Sequence, residues 1–104
     1  MYKVIILPLA KKDIKEAALW YNKKQKGLGK RFILQIRRKI NLLRQEPYEV
    51  AVRYDDVRTA VLDVFPYMAH YSIDERQRLI VISAVLHTSR NPDLWKKERE
   101  NPDV

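Results

Sequence analysis

The chain is 104 residues long, has no cysteine, and is 46% apolar and 10% aromatic. That length allows one compact domain, 1–104, and the apolar share is large enough for a core, which excludes an intrinsically disordered chain. No apolar run reaches the roughly 20 residues of a membrane span, no cleavable signal follows the start MYKVIILPLA, and a chain without cysteine carries neither disulfides nor thiolate chemistry. A cytoplasmic protein that touches no membrane is therefore expected.

Charge is unevenly divided. Residues 1–44 hold 13 Lys and Arg against two carboxylates, Asp13 and Glu16, a balance of +11; the remaining residues balance at −3. A basic half of this kind suits a polyanion or an acidic protein segment.

Tyr2–Leu7 (YKVIIL) is short, β-branched and bounded by Pro8, and reads as a strand. From Ala10 the pattern becomes helical: Ile14, Ala17, Ala18 and Tyr21 recur at i, i+3, i+4 and i+7. Trp20 and Tyr21 are expected to pack this helix on a sheet. The two glycines, Gly27 and Gly29, flank Leu28 and mark a corner, with Gly27 as a left-handed C-cap. A second helix is expected over 29–45, with Phe32, Ile36, Ile40 and Leu43 in one apolar row and Ile33 beside it. Lys30, Arg37 and Arg44 repeat every seven residues in a second row, and Arg31 and Arg38 form a third. These five cations are the expected partner or nucleic-acid contacts.

Three strands should follow: Val57–Val64, Tyr67–Ile73 and Leu79–Leu86, the last being the most apolar run in the chain. Asp55-Asp56 and Asp74-Glu75 read as solvated turn residues. Asp93–Arg99 can make a short C-terminal helix or tail, with Trp95 sealing the core. The expected fold is α+β, in the order β-α-α-β-β-β, with a helical hairpin on a mainly antiparallel four-stranded sheet. The first strand should join its edge or pair beside the last strand.

Nucleotide-binding loops are excluded by the glycine count and zincin motifs by their absence, and His70 and His87 cannot build a conventional zinc site. No metal and no cofactor are expected. One polar group remains: His87-Thr88-Ser89-Arg90-Asn91-Pro92, at the end of the most buried strand. His87 can carry a proton and Arg90 can clamp a phosphate, with Arg58 and the tyrosines Tyr67 and Tyr71 on neighbouring strands. Metal-independent cleavage of RNA needs such a set; the alternative is that His87 merely bonds backbone and Arg90 pairs with Asp93.

The same residues carry a resemblance. A-KKDI-EA--WY in the first helix, KGLGKRF opening the second, FPY-AHY at Phe65–Tyr71 and ISAVLHTSRNPDLWKK from Ile82 onward follow one another as in the RelE/ParE superfamily of toxin–antitoxin toxins. The resemblance implies a growth-inhibiting, plasmid-stabilisation-like toxin neutralised by a cognate antitoxin encoded in the same operon, with a homodimer in the complex as a further expectation. It implies one of two targets, DNA gyrase for ParE-like members or ribosome-bound mRNA for RelE-like endoribonucleases. RelE-like sequences tend to carry cations where this chain has Thr59, Val61 and Met68, and the AVLH ending is similar to ParE-like ones. The resemblance therefore favours the gyrase poison, with the endoribonuclease using His87, Arg90, Arg58 and Tyr71 as the alternative, and a degenerate toxin that only binds its antitoxin as a second.

Overall fold

A computed structural model describes residues 1–90. The chain runs β1 (Lys3–Ile6), α1 (Pro8–Lys24), α2 (Leu28–Gln45), β2 (Val52–Tyr54), β3 (Val57–Val61), β4 (Tyr67–Asp74) and β5 (Leu79–His87). The strands form one sheet in the order β1-β5-β4-β3-β2. The sheet thus has five strands where the sequence suggested four. The extra one, β2, is a three-residue edge strand that pairs Val52 with Arg58 and Tyr54 with Val57 through an irregular register. β1 does sit beside the last strand, parallel to it, with Lys3 opposite Leu79 and Ile6 opposite Ile82; the other pairs are antiparallel. The expected tail helix and Trp95 lie outside the described residues.

Pro8 opens α1 at the position where a missing N–H costs nothing. Gln25 caps α1, and Gly27 takes φ 87° as the residue before α2, so the left-handed corner belongs to the second helix rather than ending the first. The Asn22 side-chain oxygen accepts the Gly27 N–H at 2.9 Å, which pins the corner.

Both helices cover one face of the sheet. Phe32, Ile36 and Leu43 of α2 meet Ala69 and Tyr71 of β4 and Ile80, Ile82 and Val85 of β5 in the main core. Its centre is aromatic: Tyr21, Phe32, Phe65 and Tyr67 surround one another at centroid distances between 4.8 and 5.9 Å, a range in which edge-on and offset rings attract. Met68, Ala84 and Leu86 point to the other face, together with His70, where Tyr54 packs against Ala84 and Leu86. A register shift between His70 and Tyr71 interrupts the ladder with β5. No helix among the described residues is long and apolar enough to cross a membrane.

Candidate functional site

β5 outruns β1. β1 ends beside Ile82, where the Leu7 N–H still donates to the Ile82 carbonyl at 3.0 Å. Beyond that point α1 takes the place of a neighbouring strand, and the Asp13 carboxylate accepts the Val85 N–H at 3.0 Å. Satisfying that donor with a side chain, not a strand, leaves a hollow of about 640 Å³ between α1 and the ends of β4 and β5. Asp13, Glu16, Trp20, Tyr67, His87 and Arg90 are among its lining residues.

His87 is part of its lining. The Ser89 backbone N–H donates to His87 Nδ1 at 3.1 Å, with the Ser89 hydroxyl 2.8 Å from the same nitrogen. With Nδ1 accepting the Ser89 N–H, the matching tautomer is the one that carries its proton on Nε2. The ring sits edge-on to Tyr67 at 5.4 Å. Burial, and secondarily the Asp13 charge, raise the Tyr67 phenol above its usual value, so it stays protonated. Arg90 is tied to the same turn by its N–H, which donates to the His87 carbonyl at 3.0 Å.

His87 and Arg90 are therefore brought together, but Arg58 and Tyr71 are not with them. Arg58 lies opposite Tyr71 across β3 and β4, whereas His87 lies opposite Tyr67. Four residues of strand separate the two positions, about 13 Å. Tyr71 is fully buried, its hydroxyl donating to the Pro47 carbonyl at 2.7 Å, and burial raises its phenol. Arg58 donates to the Val50 carbonyl and lies 5.0 Å from the Tyr48 ring centroid. Both hold the segment between α2 and β2. As a cluster of four, the set expected from the sequence does not converge.

Thr59, Val61 and Met68 do converge. Thr59 faces His70 and Val61 faces Met68 across β3 and β4, so all three share the face away from the helices. None of the three is charged; the Arg53 guanidinium reaches them, donating to the Met68 sulfur at 3.5 Å.

The cationic rows of α2 also separate. Lys30 and Arg37 join Lys11 and Lys15 of α1 around a second hollow of about 600 Å³, on the outer side of the hairpin. Its apolar lining includes Ile14, Ile33 and the exposed Leu19 and Leu34, and no carboxylate takes part. Arg31 and Arg38 are exposed elsewhere. Arg44 is structural: its Nε donates to the Tyr2 carbonyl at 3.0 Å and its carbonyl accepts the Tyr2 N–H.

Trp20 departs from the sequence reading. Tyr21 packs into the aromatic core, but Trp20 is 52% exposed at the mouth of the sheet-end pocket. The signal was the phase of α1: Asp13, Glu16 and Trp20 fall at i, i+3 and i+7, off the stripe that carries Ile14, Ala18 and Tyr21. Among the described residues, no three His, Cys, Asp or Glu side chains come together as a metal site requires.

This architecture is shared with solved toxins. The chromosomal ParDE system from P. aeruginosa contains a chain that superposes with a TM-score of 0.72 at 19% identity, covering 84% of this chain and 96% of that one. The isolated E. coli RelE toxin gives 0.65 at 14% identity, over 96% and 98%. The intact E. coli RelBE toxin–antitoxin complex gives 0.67 at 16% identity, over 86% and 100%. At such identities the likeness is one of fold, and no curated protein matches the sequence with significance. The sequence itself decides between them: residues 4–92 match the family described as ParE toxin of type II toxin-antitoxin system, parDE. The chain belongs to the ParE family of type II toxin–antitoxin toxins.

Proposed function

We propose that the chain arrests growth by binding and poisoning DNA gyrase, without a chemical step of its own. The observation that carries this reading is the division of polar groups between the two faces of the sheet. His87 lies with Tyr67 on the helix side. The positions where RelE-like sequences place cations, Thr59, Val61 and Met68, lie on the other side and are neutral. A ribonuclease needs its proton carrier and its phosphate-stabilising cations around one scissile bond, and opposite faces of a sheet cannot share one.

The second reading, a metal-independent endoribonuclease on ribosome-bound mRNA, rests on the His87–Arg90 turn, which offers an Nε2–H donor and a guanidinium at one rim. Supercoiling by purified gyrase and primer extension on translated mRNA separate the two. The gyrase reading expects inhibited supercoiling, intact mRNA, and growth arrest that survives His87→Ala. Cleavage of ribosome-bound mRNA by the wild type and not by His87→Ala would overturn it. Normal growth at verified expression would leave only the antitoxin-binding reading.

The partner we infer for the hairpin is the cognate antitoxin. The groove between α1 and α2 has apolar walls and the four cations Lys11, Lys15, Lys30 and Arg37, the chemistry of a site for an amphipathic acidic segment. A second copy of the chain would bring like charge to the same groove, which argues against homodimerisation through it.

A further inference from the structure

The sheet-end pocket has a chemistry that the gyrase reading does not use and on which it does not depend. Asp13, Glu16, Ala17 and Trp20 fall at i, i+3, i+4 and i+7 of α1, so one stripe of that helix faces the hollow. The stripe has a carboxylate end and an indole end, and Ala17 is too small to fill the space between them. Asp13 and Glu16 are the two carboxylates of residues 1–44, amid 13 cations, and both line this one pocket. Among the described lining residues these two carboxylates stand with one guanidinium, that of Arg90.

The groups differ in how firmly they are held. Asp13 is anchored on the Val85 N–H. Among the described residues Glu16 pairs with Lys12, at 3.9 Å between side chains that are both well exposed, a contact too long and too solvated to hold it. The Trp20 ring already attracts a cation: the Lys24 ammonium, which is not part of the lining, stands 5.0 Å from its centroid.

We propose that this pocket receives an arginine side chain of a partner protein. Its guanidinium lies against the Trp20 indole and pairs with Glu16, while Asp13 adds its charge from the wall. A planar guanidinium stacks on an aromatic face and forks to a carboxylate at the same time; an ammonium is a point charge and does one or the other. A phosphate would meet two carboxylates, and an apolar side chain would strip water from Glu16 without replacing its hydrogen bonds. The pocket therefore selects a cation in a protein whose net charge is +8.

The test is titration of the full chain with the peptide acetyl-Gly-Arg-Gly-amide, its lysine and citrulline counterparts, and AMP. The Trp20 indole N–H and the Val85 amide are followed by NMR, with Trp95→Phe assigning the indole. The arginine peptide should give saturable shifts at both reporters, the lysine peptide weaker ones, and citrulline and AMP none. Glu16→Gln and Trp20→Leu, both at exposed positions, should each raise Kd roughly three- to tenfold with the remaining amide spectrum unchanged. Equal shifts with citrulline, AMP binding at these reporters, no saturable shift with arginine, or an unchanged Kd in Glu16→Gln would each overturn the proposal.

Discussion

The Tyr71 hydroxyl donates to the Pro47 carbonyl from within the core, across the gap between β4 and the end of α2. Removing it leaves a buried carbonyl short of a partner, so Tyr71→Phe should cost about 1–3 kcal/mol, read as a lower urea midpoint. Growth arrest should persist at permissive temperature, because the hydroxyl faces no ligand. Glu75 is a second point of closure. Its carboxylate accepts the hydroxyls of Tyr48 and Tyr2, and Arg78 stands beside it at 3.3 Å. The Tyr48 bond first, then that of Tyr2, lower the Glu75 carboxyl below its usual 4.5, and the same Glu75 contact pushes Tyr48 up to about 12. A carboxyl more acidic in the folded state adds stability above its unfolded value, and that stability is lost as pH falls through the folded one. For the phenol the sense reverses: its contribution is complete below pH 10 and disappears as pH rises toward about 12. Glu75→Gln removes the charge behind both effects. The urea midpoint of the variant should vary less with pH at both extremes than that of the wild type; parallel curves would show that the cluster is only solvated surface.

At the level of elements, the two helices meet at Gly29. A Cβ there would run into the Ala18 carbonyl oxygen and stand 3.2 Å from the Asn22 Cβ, and the obstacle is backbone that cannot swing away. Gly29→Ala should therefore destabilise by about 1–3 kcal/mol through overpacking, despite the gain of up to about 1 kcal/mol in helix propensity. Gly27→Ala meets no neighbour but forces a side chain to φ 87°, a cost of about 1–2 kcal/mol. Thermal melts of the two variants measure both. The glycine pair was legible in the sequence because only a corner needs both small size and positive φ; which glycine did which was not, because that depends on how closely the helices cross. Period gave α1 and α2, each of which buries a whole face, and an unbroken apolar run gave β5. β2 was missed because its three residues, VRY, are mostly exposed and pair irregularly, leaving no alternation to detect. The site was legible only where residues are near in sequence, as in His87 to Arg90. Arg58 and Tyr71 were grouped with them by strand adjacency, and strand register, which places them about 13 Å away, is invisible in a single chain.

For the molecule as a whole, the fold turns an uneven charge into a directional one. The groove cations Lys11, Lys15, Lys30 and Arg37 come from two helices and point outward together, so their fields add over a distance set by salt. Association with the antitoxin should slow as ionic strength rises. Arg37→Glu, inside the groove, should lower the association rate about tenfold, and Arg38→Glu, outside the groove lining, by less. Stopped-flow association across a salt series measures both. Equal effects of the two reversals would mean that net charge matters and the groove does not; no effect of either would leave these cations as surface alone.

Among the described strands β1 is the earliest to be made, and its neighbour β5 the latest. Until residues 79–82 exist, residues 3–6 have no ladder to join. The hairpin, whose groove draws on residues 11–37 alone, is complete long before that. In the nascent chain both helices are thus synthesised before the strands that cover their apolar faces, and the sheet closes only once β5 is free to reach back to β1.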